Sequence, residues 1–284
     1  MQYFQPLTVL SLVSWAFAQS CNLQFDSRVP VGTEVEEFDV ANPLFNHKTV
    51  IGAGLVFSKV LQVSNEASSP FDGRDNVALA VAITDQSIFN GQASFRRAEL
   101  IPSSNLGTDA STLGVKTLHF SIQKDAQRPL NLSHEYQLAF LESNDFSTNQ
   151  IVLKTGTILG VATADPDTLM LFGNINTKPA PPILFSTPFT EDAIHNFAVT
   201  LDFNANTARV FYSTDNNDLE AQGAAQPNIV AGQGQYHFGL LKKPVGGVGD
   251  ITRNGFQPVG IDEAVFYSGI FQEDSADGCV SLEP

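Results

Sequence analysis

Charged side chains set inside apolar strands are the groups in this chain that could do chemistry. The run Ala93-Ser94-Phe95-Arg96-Arg97-Ala98-Glu99-Leu100-Ile101 lies between Asn90-Gly91 and Pro102 and reads as a buried strand. Side chains alternate along a strand, so Arg97 and Glu99 share a face with Phe95, while Arg96 and Ala98 take the other. Burying a carboxylate and a guanidinium is costly unless they pair. The pair is therefore either a structural ion pair across a sandwich or part of a functional site. In a second run, His134 to Glu142, an apolar face of Tyr136, Leu138 and Phe140 alternates with Glu135 and Gln137. The same parity sets His119 and His237 opposite apolar neighbours. A sheet face carrying Arg97, Glu99, His119, Glu135, Gln137 and His237 is a polar cleft, and its carboxyl and imidazole groups are those of acid–base catalysis. Glu142 keeps the parity of the apolar face and is expected to turn out to solvent at the strand end.

The elements that must position these groups are strands. Val77, Leu79, Val81 and Ile83 alternate with Ala78, Ala80, Ala82 and Thr84, and Leu118-Phe120-Ile122, Phe197-Val199-Leu201-Phe203 and Tyr236-Phe238-Leu240 repeat the period of two. A last strand spans Ile261 to Phe271. Turn-rich tracts separate the strands: Ser69 to Gly73, Asn204 to Asn206, Asp215 to Asn217 and Pro244 to Gly249. Asp72 and Asp75 read as turn residues rather than as a cation site. Many strands with almost no helix predict an all-β fold, a β-jelly-roll sandwich of two antiparallel sheets.

Residues 1–18 read as a secretory signal peptide. The apolar stretch Leu7 to Ala18 ends in Ala16-Phe17-Ala18 and is shorter than the roughly 20 residues of a membrane span. The remaining 19–284 form a single domain of ordinary sandwich size. An exported chain favours oxidation of its two cysteines, Cys21 and Cys279, into one disulfide joining the ends. The net charge of −15 disfavours nucleic acid and anionic membrane as partners. The only tryptophan, Trp15, falls in the signal peptide, so sugar stacking has to use Tyr136, Tyr212, Tyr236, Tyr267 or a phenylalanine.

Phe95-Arg96-Arg97-Ala98-Glu99-Leu100, the strand His134 to Leu138, and Tyr236-His237-Phe238-Gly239-Leu240 followed by Lys242-Lys243-Pro244 together resemble fungal glycoside hydrolase family 131 over nearly the whole mature chain. The resemblance implies a β-jelly-roll that hydrolyses β-glucans across β-1,3, β-1,6 and β-1,4 linkages with two glutamates in an open cleft. Those glutamates carry over as Glu99 and Glu135, with Glu142 as the alternative to Glu135. Arg97, His119, Gln137 and His237 are then substrate-binding residues. Arg97 beside Glu99 favours its ionised form, which suits a base or nucleophile and leaves Glu135 as the acid. The Arg-x-Glu-Leu element also resembles jelly-roll polysaccharide lyases, in which Tyr236 or His237 would be the base and Arg97 and Gln137 would neutralise a uronate. The acidic chain repels a polyuronate, so glucan hydrolase ranks first, lyase second and a non-catalytic glucan-binding protein third. The reading is of a secreted monomer with no cofactor. No metal site is expected, because the five histidines are scattered and both cysteines are used. Asn131-Leu132-Ser133 is an acceptor sequence for N-glycosylation.

Overall fold

A computed structural model of the chain describes residues 21–284 except residues 49 and 66. The expected signal peptide, with Trp15, lies outside the described residues. The strands run in the order β1 (Leu23–Asp26), β2 (Val29–Pro30), β3 (Leu61–Ser64), β4 (Asn76–Thr84), β5 (Arg96–Leu100), β6 (Val115–Lys124), β7 (Glu135–Ser143) and β8 (Asn149–Gly156). They continue with β9 (Thr168–Phe172), β10 (Ile183–Pro188), β11 (His195–Asp202), β12 (Thr207–Thr214), β13 (Glu220–Ala221), β14 (Gln226–Pro227), β15 (Gly234–Lys242) and β16 (Asp262–Asp274). Short 3₁₀ helices, Val35–Asp39 and three-residue turns such as Pro70–Asp72, are the only helical elements among the described residues.

The strands form two antiparallel sheets, the all-β jelly-roll sandwich that the alternation predicts. The larger has the order β13-β12-β11-β6-β16-β4-β2, with β1 beside β16, β3 beside β4 and β14 beside β12. The smaller has the order β10-β9-β8-β7-β15-β5. Between them Phe120 stacks on Phe197 at 5.2 Å and meets Phe238 of the smaller sheet at 5.9 Å. Each such fully buried side chain stabilises the sandwich by about 1.5–3 kcal/mol. Further apolar clusters include Phe71, Ala198, Phe211, Leu219 and Phe271 on the larger sheet, and Phe140, Val152, Ile158, Met170 and Phe172 on the smaller one. Consequently β8, Asn149–Gly156, is buried along its whole length.

Cys21 and Cys279 are joined by a disulfide, their Cα atoms 5.6 Å apart, beside the paired strands β1 and β16. Strand β5 is an edge, and loops cover it. The Arg97 amide donates to the Ser87 carbonyl at 2.7 Å and the Glu99 amide to the Val50 carbonyl at 2.9 Å, so these donors are not open to another strand.

Candidate active site

Strand β5 holds Ala98 and Leu100 in the core and turns Arg97 and Glu99 to the outer face of the smaller sheet. The Arg97 guanidinium grips Glu99 bidentately, Nε to Oε1 at 2.7 Å and Nη2 to Oε2 at 2.9 Å, and Nη1 also donates to Gln92 Oε1 at 3.2 Å. On β15, His237 brings Nδ1 to within 2.8 Å of Glu99 Oε2. Burial alone would raise the Glu99 carboxyl, but the Arg97 charge and the His237 hydrogen bond outweigh it and hold the group below its ordinary range. An ionised carboxylate only accepts, so Nδ1 carries the hydrogen. That leaves Nε2 as the atom the ring presents, and it has no hydrogen-bond partner. The ring lies flat on Phe140, 4.4 Å between centroids, which fixes its plane.

Opposite that free nitrogen stands Glu142, its Oε2 3.6 Å from His237 Nε2. This corrects the expectation that Glu142 faces away from the cleft. Against β8, Gln137 pairs with Lys154 but Ala139 pairs with Leu153, so Leu138 is an extra residue in β7. Leu138 and Ala139 both face the core, and beyond them the parity is reversed. Phe140 and Glu142 therefore join Glu135 and Gln137 on the outer face. The register also slips between β15 and β7 from Phe238 to Leu241. Gly239 sits in that slip with φ +156°, and a Cβ there would fall 2.1 Å from the Ala98 carbonyl oxygen, so only glycine fits beside Glu99. The Tyr267 hydroxyl, reaching across from the larger sheet, lies 2.8 Å from the Leu138 carbonyl oxygen and 2.7 Å from that of Gly239.

Arg97, His237, Glu142, Phe89 and Phe146 line a cavity of about 580 Å³ on this face. Glu99 lies beneath it, with no exposed surface. Phe89 carries the Arg97 guanidinium over its ring at 5.4 Å. No side-chain hydrogen bond fixes the Glu142 carboxylate among the described residues, and a quarter of that side chain is exposed.

Glu135 shares the face but not the cavity. Its Oε1 accepts from Lys243 Nζ at 2.7 Å and Lys154 Nζ at 2.9 Å, and its Oε2 from the Leu159 amide at 2.8 Å. Burial pushes its carboxyl up, but the two lysines overcome that and hold it below the usual range. With both oxygens engaged, Glu135 anchors the start of β7 to β8 and to the chain leaving β15. Gln137, the next outward residue, accepts from Asn149 Nδ2 at 3.0 Å and does not reach the Glu99 cavity.

His119 is on the other sheet altogether, contrary to its expected place in the cleft. It projects from β6, stacks on Phe271 at 4.3 Å and sets Nε2 2.9 Å from Glu273 Oε2. Alternation gives the face of a residue on its own strand but not the sheet to which the strand belongs. Tyr236, a base in the lyase alternative, points into the core, where its hydroxyl accepts from Gln272 Nε2 at 3.0 Å and burial raises its pKa. It is out of reach of anything bound in the cavity.

The model of the glycoside hydrolase 131 catalytic N-terminal domain matches residues 23–278. The chain belongs to glycoside hydrolase family 131. A solved catalytic domain of a family 131 β-glucanase from Podospora anserina superposes with a TM-score of 0.67 at 23% identity, covering 86% of this chain and 88% of that one. A family 131 catalytic domain from Coprinopsis cinerea gives a TM-score of 0.69 at 23% identity, covering 93% of this chain and 98% of that one. No curated protein matches the sequence.

Sequence reasoning missed three parts of this family 131 site. Phe89 and Gln92 precede β5 in the tract Phe89-Asn90-Gly91-Gln92, where a turn signal masked two residues that pack on Arg97. Phe146 stands in the turn Asn144-Asp145-Phe146-Ser147, and an aromatic residue among polar turn residues was a signal available there.

Proposed function

We propose that the chain is a secreted β-glucanase acting on β-1,3, β-1,6 and β-1,4 linkages, with Glu99 and Glu142 as its two carboxyl groups. The line Glu99–His237–Glu142 along the cavity carries this reading. Glu142 is the acid: it is partly exposed, lines the cavity and is free to swing onto a glycosidic oxygen. Glu99 is the base carboxylate and acts through His237, because its own oxygens are occupied and Nε2, the ring nitrogen without a hydrogen-bond partner, is the one turned toward Glu142. As the water oxygen bonds to the anomeric carbon, its proton passes to Nε2, leaving an imidazolium that Glu99 stabilises, while the glycosidic C–O bond breaks and the departing oxygen takes the proton of Glu142. Glu142 Oε2 rests 3.6 Å from Nε2, so the water and the anomeric carbon enter as Glu142 swings out; attack by an activated water with no protein nucleophile is a single displacement. Inversion at the anomeric carbon is the expected outcome. Arg97 holds Glu99 and helps to line the glucan site. Export fits the disulfide, and exposed Asn131, at the turn before β7, is the proposed glycan acceptor.

Incubation with laminarin, a β-1,4 glucan and a glucuronan tests the reaction class. New reducing ends on the neutral glucans are expected; an ultraviolet-absorbing unsaturated product from the glucuronan would establish a lyase instead. Glu142→Gln and Glu99→Gln should each lower kcat by about 10² to 10⁴-fold. Glu135→Gln should keep kcat within about threefold while losing roughly 3 kcal/mol of stability, because it strands two partly buried lysines. Activity that survives Glu142→Gln but not Glu135→Gln would return the acid role to Glu135.

A further inference from the structure

Phe146 combines exposure, backbone strain and placement in a way that a chance surface phenylalanine does not. Its side chain is 73% exposed and joins none of the apolar clusters. Its φ is +59°, and of the six non-glycine residues with positive φ, four are asparagine or aspartate. Those side chains tolerate the left-handed region; a bulky aromatic there is an outlier, of the kind that clusters at ligand clamps. Hydrogen bonds cross-link the turn that holds it. The Phe146 amide donates to the Ser143 carbonyl at 2.8 Å, and Asp145 Oδ1 accepts from the Ser143 hydroxyl at 2.7 Å and from the Ser147 amide at 3.1 Å. Asn176 Nδ2 ties down the Ser147 carbonyl at 3.0 Å. Phe146 thus bounds the cavity above Glu142, four positions further along the same hairpin. The other aromatic of the cavity, Phe89, already has the Arg97 guanidinium over its ring.

We infer that Phe146 is the stacking platform for a β-glucosyl ring beside the scissile bond. This rests on the glucanase reading above. A β-linked glucosyl unit has all its ring substituents equatorial, so both faces present axial C–H groups that pack on an aromatic ring. Such a C–H face packs on the Phe146 ring without leaving a sugar hydroxyl buried against it. The pre-set turn means that little ordering is needed when the glucan lands.

The variants are Phe146→Asn, which suits the left-handed backbone, Phe146→Ala and Phe146→Tyr. Each is assayed by kcat and KM on a soluble β-1,3-gluco-oligosaccharide and by calorimetric binding of the same oligosaccharide. Phe146→Asn should melt no lower than the parent, yet it and Phe146→Ala should lose about 3- to 10-fold in kcat/KM, mainly through KM, with a matching loss of gluco-oligosaccharide affinity. Phe146→Tyr should stay within about twofold. Unchanged KM and affinity in folded Phe146→Asn, with the parent active, would overturn this inference alone. A parent that neither hydrolyses nor binds the gluco-oligosaccharide would overturn the glucanase reading and this inference with it.

Discussion

Replacing Tyr267 by phenylalanine probes what holds the two register slips under the site. The tyrosine is buried, and its hydroxyl reaches the carbonyl oxygens of Leu138 and Gly239, one on each slipped strand. Losing the hydroxyl removes a donor shared by two buried carbonyl groups, and an unsatisfied buried polar group costs about 1–3 kcal/mol. For a domain of this size that lowers Tm by about 2–6 °C. The larger consequence is geometric. The Leu138–Ala139 bulge turns Phe140 and Glu142 outward, and Gly239 lies across from Glu99. If the bulge relaxes, the Phe140 support for His237 and the approach of Glu142 to Nε2 go with it. A misplacement of about 1 Å at reacting groups costs on the order of 10²-fold. The assay is kcat on laminarin at a temperature well below both melting points, with Tyr136→Phe as the control. The Tyr136 hydroxyl is also buried and donates to Glu263 Oε2 at 2.7 Å, but it touches neither slip. Tyr136→Phe should lose stability and keep kcat, whereas Tyr267→Phe should lose both. Equal stability losses with unchanged kcat in each would show that the strand ladders alone hold the bulge.

Two further outcomes follow from groups away from the cavity. Reducing the Cys21–Cys279 disulfide releases a closure spanning 258 positions, for which loop entropy gives about 5.6 kcal/mol as an upper figure; an unchanged Tm after mass-verified reduction would refute it. Burial raises the Asp72 carboxyl from 3.8 to about 6, against the pull of the Gly269 and Ser69 amides. The native state therefore holds an extra proton between about pH 4 and 6, so this contribution, at most about 3 kcal/mol, falls as pH rises through that window. Asp72→Asn should flatten that limb, and parallel stability slopes for parent and variant would contradict the assignment.

The legible parts of the site are those whose relations are local. Arg97 and Glu99 stand two residues apart in a strand with no bulge between them, so alternation puts them on one face and electrostatics makes them a pair. His237, between core-facing Tyr236 and Phe238, obeys the same rule. His119 obeys it equally well and is still in the wrong place, because the choice between two sheets is made by pairings such as β6 with β11 and β16, far apart in sequence. The fold class needed only the count and period of the strands. The cavity needed their order, and also the loop carrying Phe89 and Gln92 packed over edge strand β5.

Glu142 shows a different kind of limit, and one that can be turned round. Counting from Tyr136 and Leu138, its parity is that of the core, where a carboxylate without a partner would be severely destabilising. The sequence escapes that cost with one extra residue, and the bulge leaves little trace in composition because Leu138 and Ala139 are both apolar and both buried. Solvation at the strand end was one way to relieve the conflict; a bulge between the apolar run and the acid was the other. The second also delivers the carboxylate to the face that already holds Glu99 and His237. A charged residue with core parity, late in a long apolar strand, is therefore itself a signal of a bulge, and bulges beside polar faces are where alternation should be recounted before a residue is dismissed from a site.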